Sequence, residues 1–146
     1  DESACVREAM TASAVGGVHA MHDATEGGLY GAFVEMAASA GVRFDVATDR
    51  IPMRPGIREV CDELGIDPWT STTGGTLVLA VDPARTDDVV DALEAEGTPV
   101  GVAGTVESGS GVAVDGEEVS HPKVDPSWAA YERLAAESDA TGGGDA

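Results

Sequence analysis

His22-Asp23-Ala24-Thr25-Glu26-Gly27-Gly28-Leu29 is the stretch on which the fold of this chain turns. Before it, residues 18–21 read Val-His-Ala-Met, a short apolar strand. After it, Leu29, Phe33, Met36 and Ala40 recur at i, i+4, i+7 and i+11, one face of a helix predicted over 26–40. A strand that passes through a glycine turn into a helix is the building unit of folds that mix the two. The same six residues from Asp23 to Gly28 hold two carboxylates, a hydroxyl and two glycines, the densest set of site-type groups in the chain.

Working outward, the pattern repeats. A helix is predicted over 2–14 from Val6, Ala9, Met10 and Ser13, and Gly16-Gly17 stop it. Gly41 ends the second helix, and residues 42–46 alternate apolar and polar with period two, a half-buried strand. Ile57, Val60, Cys61 and Leu64 mark a third, amphipathic helix, with Pro55 in its first turn. Residues 76–81 are continuously apolar, as in a strand covered on both faces. A fourth helix is predicted over 84–96. Strands follow at 99–106 and 111–114, joined as a hairpin through Ser108-Gly109-Ser110. Asp115-Gly116 signals a turn, and Trp128, Tyr131 and Leu134 mark a last helix over 126–137. This order predicts an α/β (α+β) sandwich with helices packed on a mixed sheet. It is one domain over 1–138, with a disordered tail over 139–146.

The 146 residues suffice for a core, and 42% hydrophobic content makes the chain globular. Formal charge is −19, from 27 acidic against 8 basic residues, with Lys123 the only lysine. A phosphate-binding surface needs a basic footprint, so nucleic acid and anionic membrane are excluded as partners. Acid spread along the chain with almost no lysine fits a halophile's cytoplasmic protein. Cys5 and Cys61 fall in helical apolar patterns and read as buried free thiols. The start at Asp1, without a leader, predicts a piece of a longer protein.

The turn admits two readings. Asp23-x-x-Glu26 fits a capping box, with Asp23 at the N-cap. That leaves Gly27-Gly28 unexplained, since a glycine inside a helix costs about 1 kcal/mol relative to alanine. Two glycines there call for a close approach by a ligand or another element. A helix N-terminus suits phosphate, which Asp23 and Glu26 would repel unless a divalent cation lies between. The second reading is therefore a Mg²⁺–phosphate site, with Asp23 and Glu26 on the metal, Thr25 donating to phosphate, and His22, Gly27 and Gly28 close by. The loop of Ser71, Thr72, Thr73, Gly74 and Gly75 reads as an anion nest or a plain polar loop. Arg43, Arg50, Arg54 and Arg58 hold four of the eight basic charges and read as an anion surface or as local charge balance. His19 and His121 read as structural.

The stretch from His22 to Leu29 resembles the signature turn that opens the C-terminal domain of the aminoimidazole ribonucleotide (AIR) synthetase superfamily, to which HypE-like proteins and their archaeal AIR synthase-related relatives belong. Ile51-Pro52-Met53-Arg54, residues 61–68 (CDELGIDP) and residues 74–81 (GGTLVLAV) follow in that family's order. The resemblance implies an ATP- and Mg²⁺-dependent enzyme that activates a carbonyl or amide-type oxygen by phosphoryl transfer. It implies an N-terminal ATP-binding domain outside this chain as partner, a small-molecule substrate, a homodimer, and no activity in the isolated chain. By match to the thiamine-monophosphate kinase version of the turn, Asp23 and Glu26 fall on metal-binding carboxylates and Thr25 on a phosphate-contacting hydroxyl. Two departures stand out. Glu26 occupies a position where some members carry Arg or Asp. The chain also ends Gly144-Asp145-Ala146, where HypE proteins end in the cysteine that receives the carbamoyl group. Hydrogenase maturation and a non-catalytic ligand-binding domain are the alternatives.

Overall fold

In a computed structural model, which describes residues 5–142 and side chains as far as residue 137, helices pack on a mixed sheet. The chain runs α1 (Val6–Val15), β1 (Val18–Ala24), α2 (Gly28–Ala40), β2 (Val42–Val46), α3 (Ile57–Leu64), β3 (Thr76–Val81), α4 (Thr86–Ala95), β4 (Gly104–Ser108), β5 (Gly111–Val114), β6 (Glu117–Val119) and α5 (Pro126–Gly142). Short 3₁₀ turns lie at Thr48–Arg50 and Pro83–Arg85. In the second turn Asp82 accepts the Ala84 amide at 2.8 Å.

The strands form two sheets. β1 and β3 make an antiparallel ribbon, and the other four run β4-β2-β5-β6. β2 is antiparallel to β4 and parallel to β5. The hairpin expected between β4 and β5 is therefore a correction: β2 lies between them, so the tight 108–110 connection spans a strand. The true hairpin is β5–β6, which sequence reading missed. Its turn is Asp115-Gly116, with φ of 51° and 84°, the double positive φ that a two-residue hairpin turn requires. β4 also starts later than expected, at Gly104, after an irregular stretch over 99–103.

Two apolar clusters flank the ribbon. On one side α2 packs Leu29, Phe33 and Met36 against Phe44, Val46, Val112 and Val114, with Val78 and Ala80 of β3 against that cluster. Phe33 and Phe44 meet edge to face, with centroids 6.5 Å apart. On the other side Ala12, Val89 and Leu93 pack with Leu79 and Val81. β3 is thus lined on both faces, as expected, although each of its residues is only half-buried.

Two helices that the apolar spacing predicts leave much of their apolar surface exposed. Val6 is 64% and Met10 69% exposed, while the buried residue of α1 is Ala12, small enough for α1 to approach α4. α3 has no buried residue, and Ile57 and Val60 stand in solvent. Pro55 lies outside α3, which begins after the left-handed Gly56. α5 continues past the predicted end, so 139–142 of the expected tail are helical, and 143–146 lie outside the described residues. Glu2, placed at the start of the first helix, also lies outside them. No helix among the described residues is long and apolar enough to cross a membrane.

Candidate functional site

The turn sits where β1 leaves its ribbon. Strand pairing persists through Asp23↔Leu77 and Ala24↔Thr76, so Asp23 is a strand residue and not an N-cap. The helix begins two residues later than expected. Gly27 is the N-cap, left-handed at φ 78°, and no side chain caps α2. The capping box is therefore a correction: the ladder with β3 holds Asp23 extended, and the left-handed glycine makes the bend.

The two glycines admit another element. A Cβ on Gly28 would lie 2.6 Å from the carbonyl oxygens of Trp69 and Ser71, and φ there is +61°. The 69–73 loop presses on the turn at this point. Tyr30 N–H donates to Trp69 O at 3.0 Å, Thr73 N–H to Thr25 O at 3.3 Å, and Thr73 Oγ1 to Ala24 O at 2.8 Å. The 71–75 stretch and the turn, separate candidates in the sequence, form one unit. Gly27 and Gly31 likewise make room for His121, whose ring would meet a Cβ at 3.1 and 3.2 Å.

His121 is part of a constellation, which corrects its reading as an isolated structural group. Glu35 of α2 accepts from His22 Nε2 at 2.7 Å and from His121 Nε2 at 3.2 Å. The Nδ1 atoms face the carbonyls of Asp23 and Pro122 at 2.9 and 2.7 Å. Both ring nitrogens of His22 are thus engaged inside the protein. The hydrogen bond from His22, helped by its charge and by His121, holds the Glu35 carboxyl below the usual glutamate range.

Asp125 is a functional candidate that the sequence reading does not include. At 6% exposure it is the one buried polar or charged side chain among the described residues. One carboxylate oxygen accepts the Ser127 N–H at 2.9 Å, together with the Ser127 hydroxyl, capping α5. The other accepts the Thr72 hydroxyl and, at 3.5 Å, the Gly27 N–H. Burial pushes this carboxyl up, but the hydrogen bonds from Ser127, Thr72 and Gly27 outweigh it and leave it below the ordinary aspartate range. An Asp-Pro-Ser sequence before a helical pattern is a cap signal, and it was the available clue.

Asp23, Thr25 and Glu26 are exposed around this buried scaffold, while Gly27 and Gly28 are buried within it. The amides of Gly27 and Gly28 donate to Asp125 and to Thr25 O. Among the described residues no three His, Cys, Asp or Glu side chains gather to hold a metal ion by themselves. The arginines lie on separate elements: Arg43 on β2, Arg50 in the first 3₁₀ turn, Arg54 before α3, and Arg58 within it. Arg43 pairs with Glu118 of β6, the local-balance reading for that residue. Cys5 and Cys61 are free and only half-buried, a correction to their reading as core thiols. Burial, then nearby carboxylates, pushes both thiols up.

The family described as AIR synthase related protein, C-terminal domain, matches residues 2–117. Carbamoyl dehydratase HypE of Escherichia coli is 33% identical over 102 residues, which are 68% of this chain and 30% of that protein. The crystal structure of E. coli HypE, a hydrogenase maturation protein, superposes with a TM-score of 0.74 at 29% identity, over 84% of this chain and 40% of that one. A HypE solved in complex with ATP shares the fold, with a TM-score of 0.69 at 24% identity, over 77% of this chain and 38% of its own. The chain thus spans well under half the length of these relatives.

Proposed function

The chain belongs to the AIR synthase related C-terminal domain family, and we propose that it serves as the nucleotide- and substrate-closing part of an ATP- and Mg²⁺-dependent enzyme in the cytoplasm. The observation that carries this reading is the turn itself. Asp23, Thr25 and Glu26 are exposed together at the end of β1, on a backbone clamped by the 69–73 loop.

That donor set fits Mg²⁺ as a nucleotide-bound ion is usually held, by one or two carboxylates with phosphate oxygens and water supplying the rest. Asp23 and Glu26 would hold the ion, and Thr25 would donate its hydroxyl to phosphate. The ion would neutralise charge developing on the transferred phosphoryl group. His22, Gly27 and Gly28 shape the turn from within, beneath the exposed groups that would meet the phosphate. The protein's own task is positioning. The ribbon fixes Asp23, the loop fixes Thr25, and water is excluded when the remainder of the enzyme closes over the turn.

The reaction class we propose is activation of an amide-type or carbonyl oxygen by phosphoryl transfer. Carbamoyl dehydration, the activity named for the E. coli relative, needs that activation, because the carbamoyl oxygen is a poor leaving group until phosphorylated. The bulk of the relatives' length lies outside this chain, so the remaining ligands for ATP, and the homodimer, are assigned to an N-terminal domain. By itself this chain turns over no ATP.

The test is a thermal-shift screen on the full-length protein, with and without ATP and Mg²⁺. A ligand at about a hundred times its Kd adds about 2.7 kcal/mol of stability. A shift that needs both ATP and Mg²⁺ supports the reading. Unchanged melting with saturating Mg²⁺-ATP overturns it, as does Mg²⁺-dependent ATP turnover by the isolated chain for the division of labour.

A further inference from the structure

Asp125 lies about a hundred residues from the turn in sequence and against it in space. Its carboxylate has four donors, two on each oxygen, which is the full acceptor capacity of an ionised carboxylate. The two donors on one oxygen come from Ser127 and are accounted for by capping α5. The other two, the Thr72 hydroxyl and the Gly27 amide, do nothing for that helix. They tie the first residue of the glycine pair to the loop that lies over the second.

We propose that Asp125 is a positioning residue for the proposed nucleotide site, holding the Thr25–Gly28 turn and the 69–73 loop in one fixed arrangement. This inference rests on the nucleotide reading only for its consequence; the clamp itself is a matter of geometry. A buried anion saturated by donors from three segments enforces a single arrangement, because displacing any segment leaves part of the charge unpaired in a low-dielectric setting. Thr25 and Glu26 lie directly between the strand end at Ala24 and the clamped Gly27, so their placement follows from it.

The chemistry of the amide analogue separates the two halves of this carboxylate. In Asp125→Asn the remaining oxygen can still cap α5 through Ser127. The new NH₂ then faces the Gly27 N–H, a donor that cannot reverse, while the Thr72 hydroxyl can turn to accept. The loss falls on the turn. Ser127→Ala is the matching control on the helix side.

The experiment is amide hydrogen exchange on the full-length protein, read at residues 24–31 and across α5, with Mg²⁺-ATP affinity measured in parallel. Asp125→Asn is expected to speed exchange in the turn about tenfold or more, the equivalent of one charge-assisted hydrogen bond. Mg²⁺-ATP affinity should weaken by a similar factor. Ser127→Ala should change neither. If Asp125→Asn does not fold, Thr72→Val, which removes the loop's hydroxyl but keeps its shape, carries the same expectation. Unchanged exchange in the turn overturns the clamp. Faster exchange with undiminished affinity overturns the positioning role. Faster exchange in a protein whose wild type binds no nucleotide supports the clamp and refutes the nucleotide reading instead.

Discussion

Substituting Gly28 by alanine tests whether the glycine pair exists to admit the 69–71 backbone. Three costs combine. The residue must stay left-handed at φ +61°, its Cβ must fit 2.6 Å from two carbonyl oxygens, and relief of that clash pulls the Trp69 carbonyl from the Tyr30 amide. Left-handed strain, overpacking against backbone and one lost hydrogen bond together amount to about 3–6 kcal/mol. In a domain of this size that lowers Tm by about 10–20 °C. Gly41 is the internal control, since its φ is +66° but no heavy atom lies within 4 Å of an added Cβ. Gly41→Ala should cost only the strain, about 1–2 kcal/mol. Urea unfolding of both variants, extrapolated to water, gives the difference directly. Equal costs would refute the contact argument and return the glycine pair to a ligand-driven explanation.

Three further outcomes follow from the same geometry. Phe44→Ala, removing a buried ring and its edge-to-face contact with Phe33, should cost about 3–5 kcal/mol in urea unfolding, with surface loops unaffected. Asp82→Ala, which strips the cap from the Ala84 amide, should cost about 1 kcal/mol by the same assay. Asp125 and Glu35 both titrate lower in the folded state than unfolded, so their stabilisation is complete above the ordinary carboxylate range and lost as pH falls through their folded values. Glu35 is half exposed, so solvent screening leaves Asp125 the larger share. The stability difference between wild type and Asp125→Asn, which cancels titration of the other acids, should shrink on acidification from pH 6 to 3. A difference independent of pH would show that the carboxylate is not held ionised by its four donors.

How much of this was legible in the sequence depends on which forces are local. The bounds of β2, β3 and β5, and the end of α3, follow from periodicity and from glycine stops, which are written in neighbouring residues. Periodicity reports that a helix is amphipathic but not what covers it. The apolar patterns at Val6 and Met10, and at Ile57 and Val60, thus mark helices whose apolar side chains are exposed among the described residues. Asp23-x-x-Glu26 matched a capping box, but the ladder to Leu77 and Thr76, some fifty residues away, decided the matter. Partner choice among strands is nonlocal in the same way, and it hid the insertion of β2 between β4 and β5. Two glycines at the turn call for a close approach by a ligand or an element, and the 69–71 backbone is that element. That narrows the functional case to the exposed Asp23, Thr25 and Glu26, with Gly27 and Gly28 as the scaffold beneath them. Asp125 went unread, and His121 read as merely structural, because what matters about them is three-dimensional.

The central claim is that these exposed groups receive a Mg²⁺-nucleotide. Calorimetric titration of the full-length protein with Mg²⁺-ATP, alongside Asp23→Asn and Glu26→Gln, tests it most directly. Both side chains are exposed, so the substitutions should leave stability within about 0.5 kcal/mol. The account predicts saturable, Mg²⁺-dependent binding in the wild type, weakened about tenfold or more in each variant, the scale of a lost charge-assisted contact. Equal affinity in all three proteins, or none in the wild type, would contradict it.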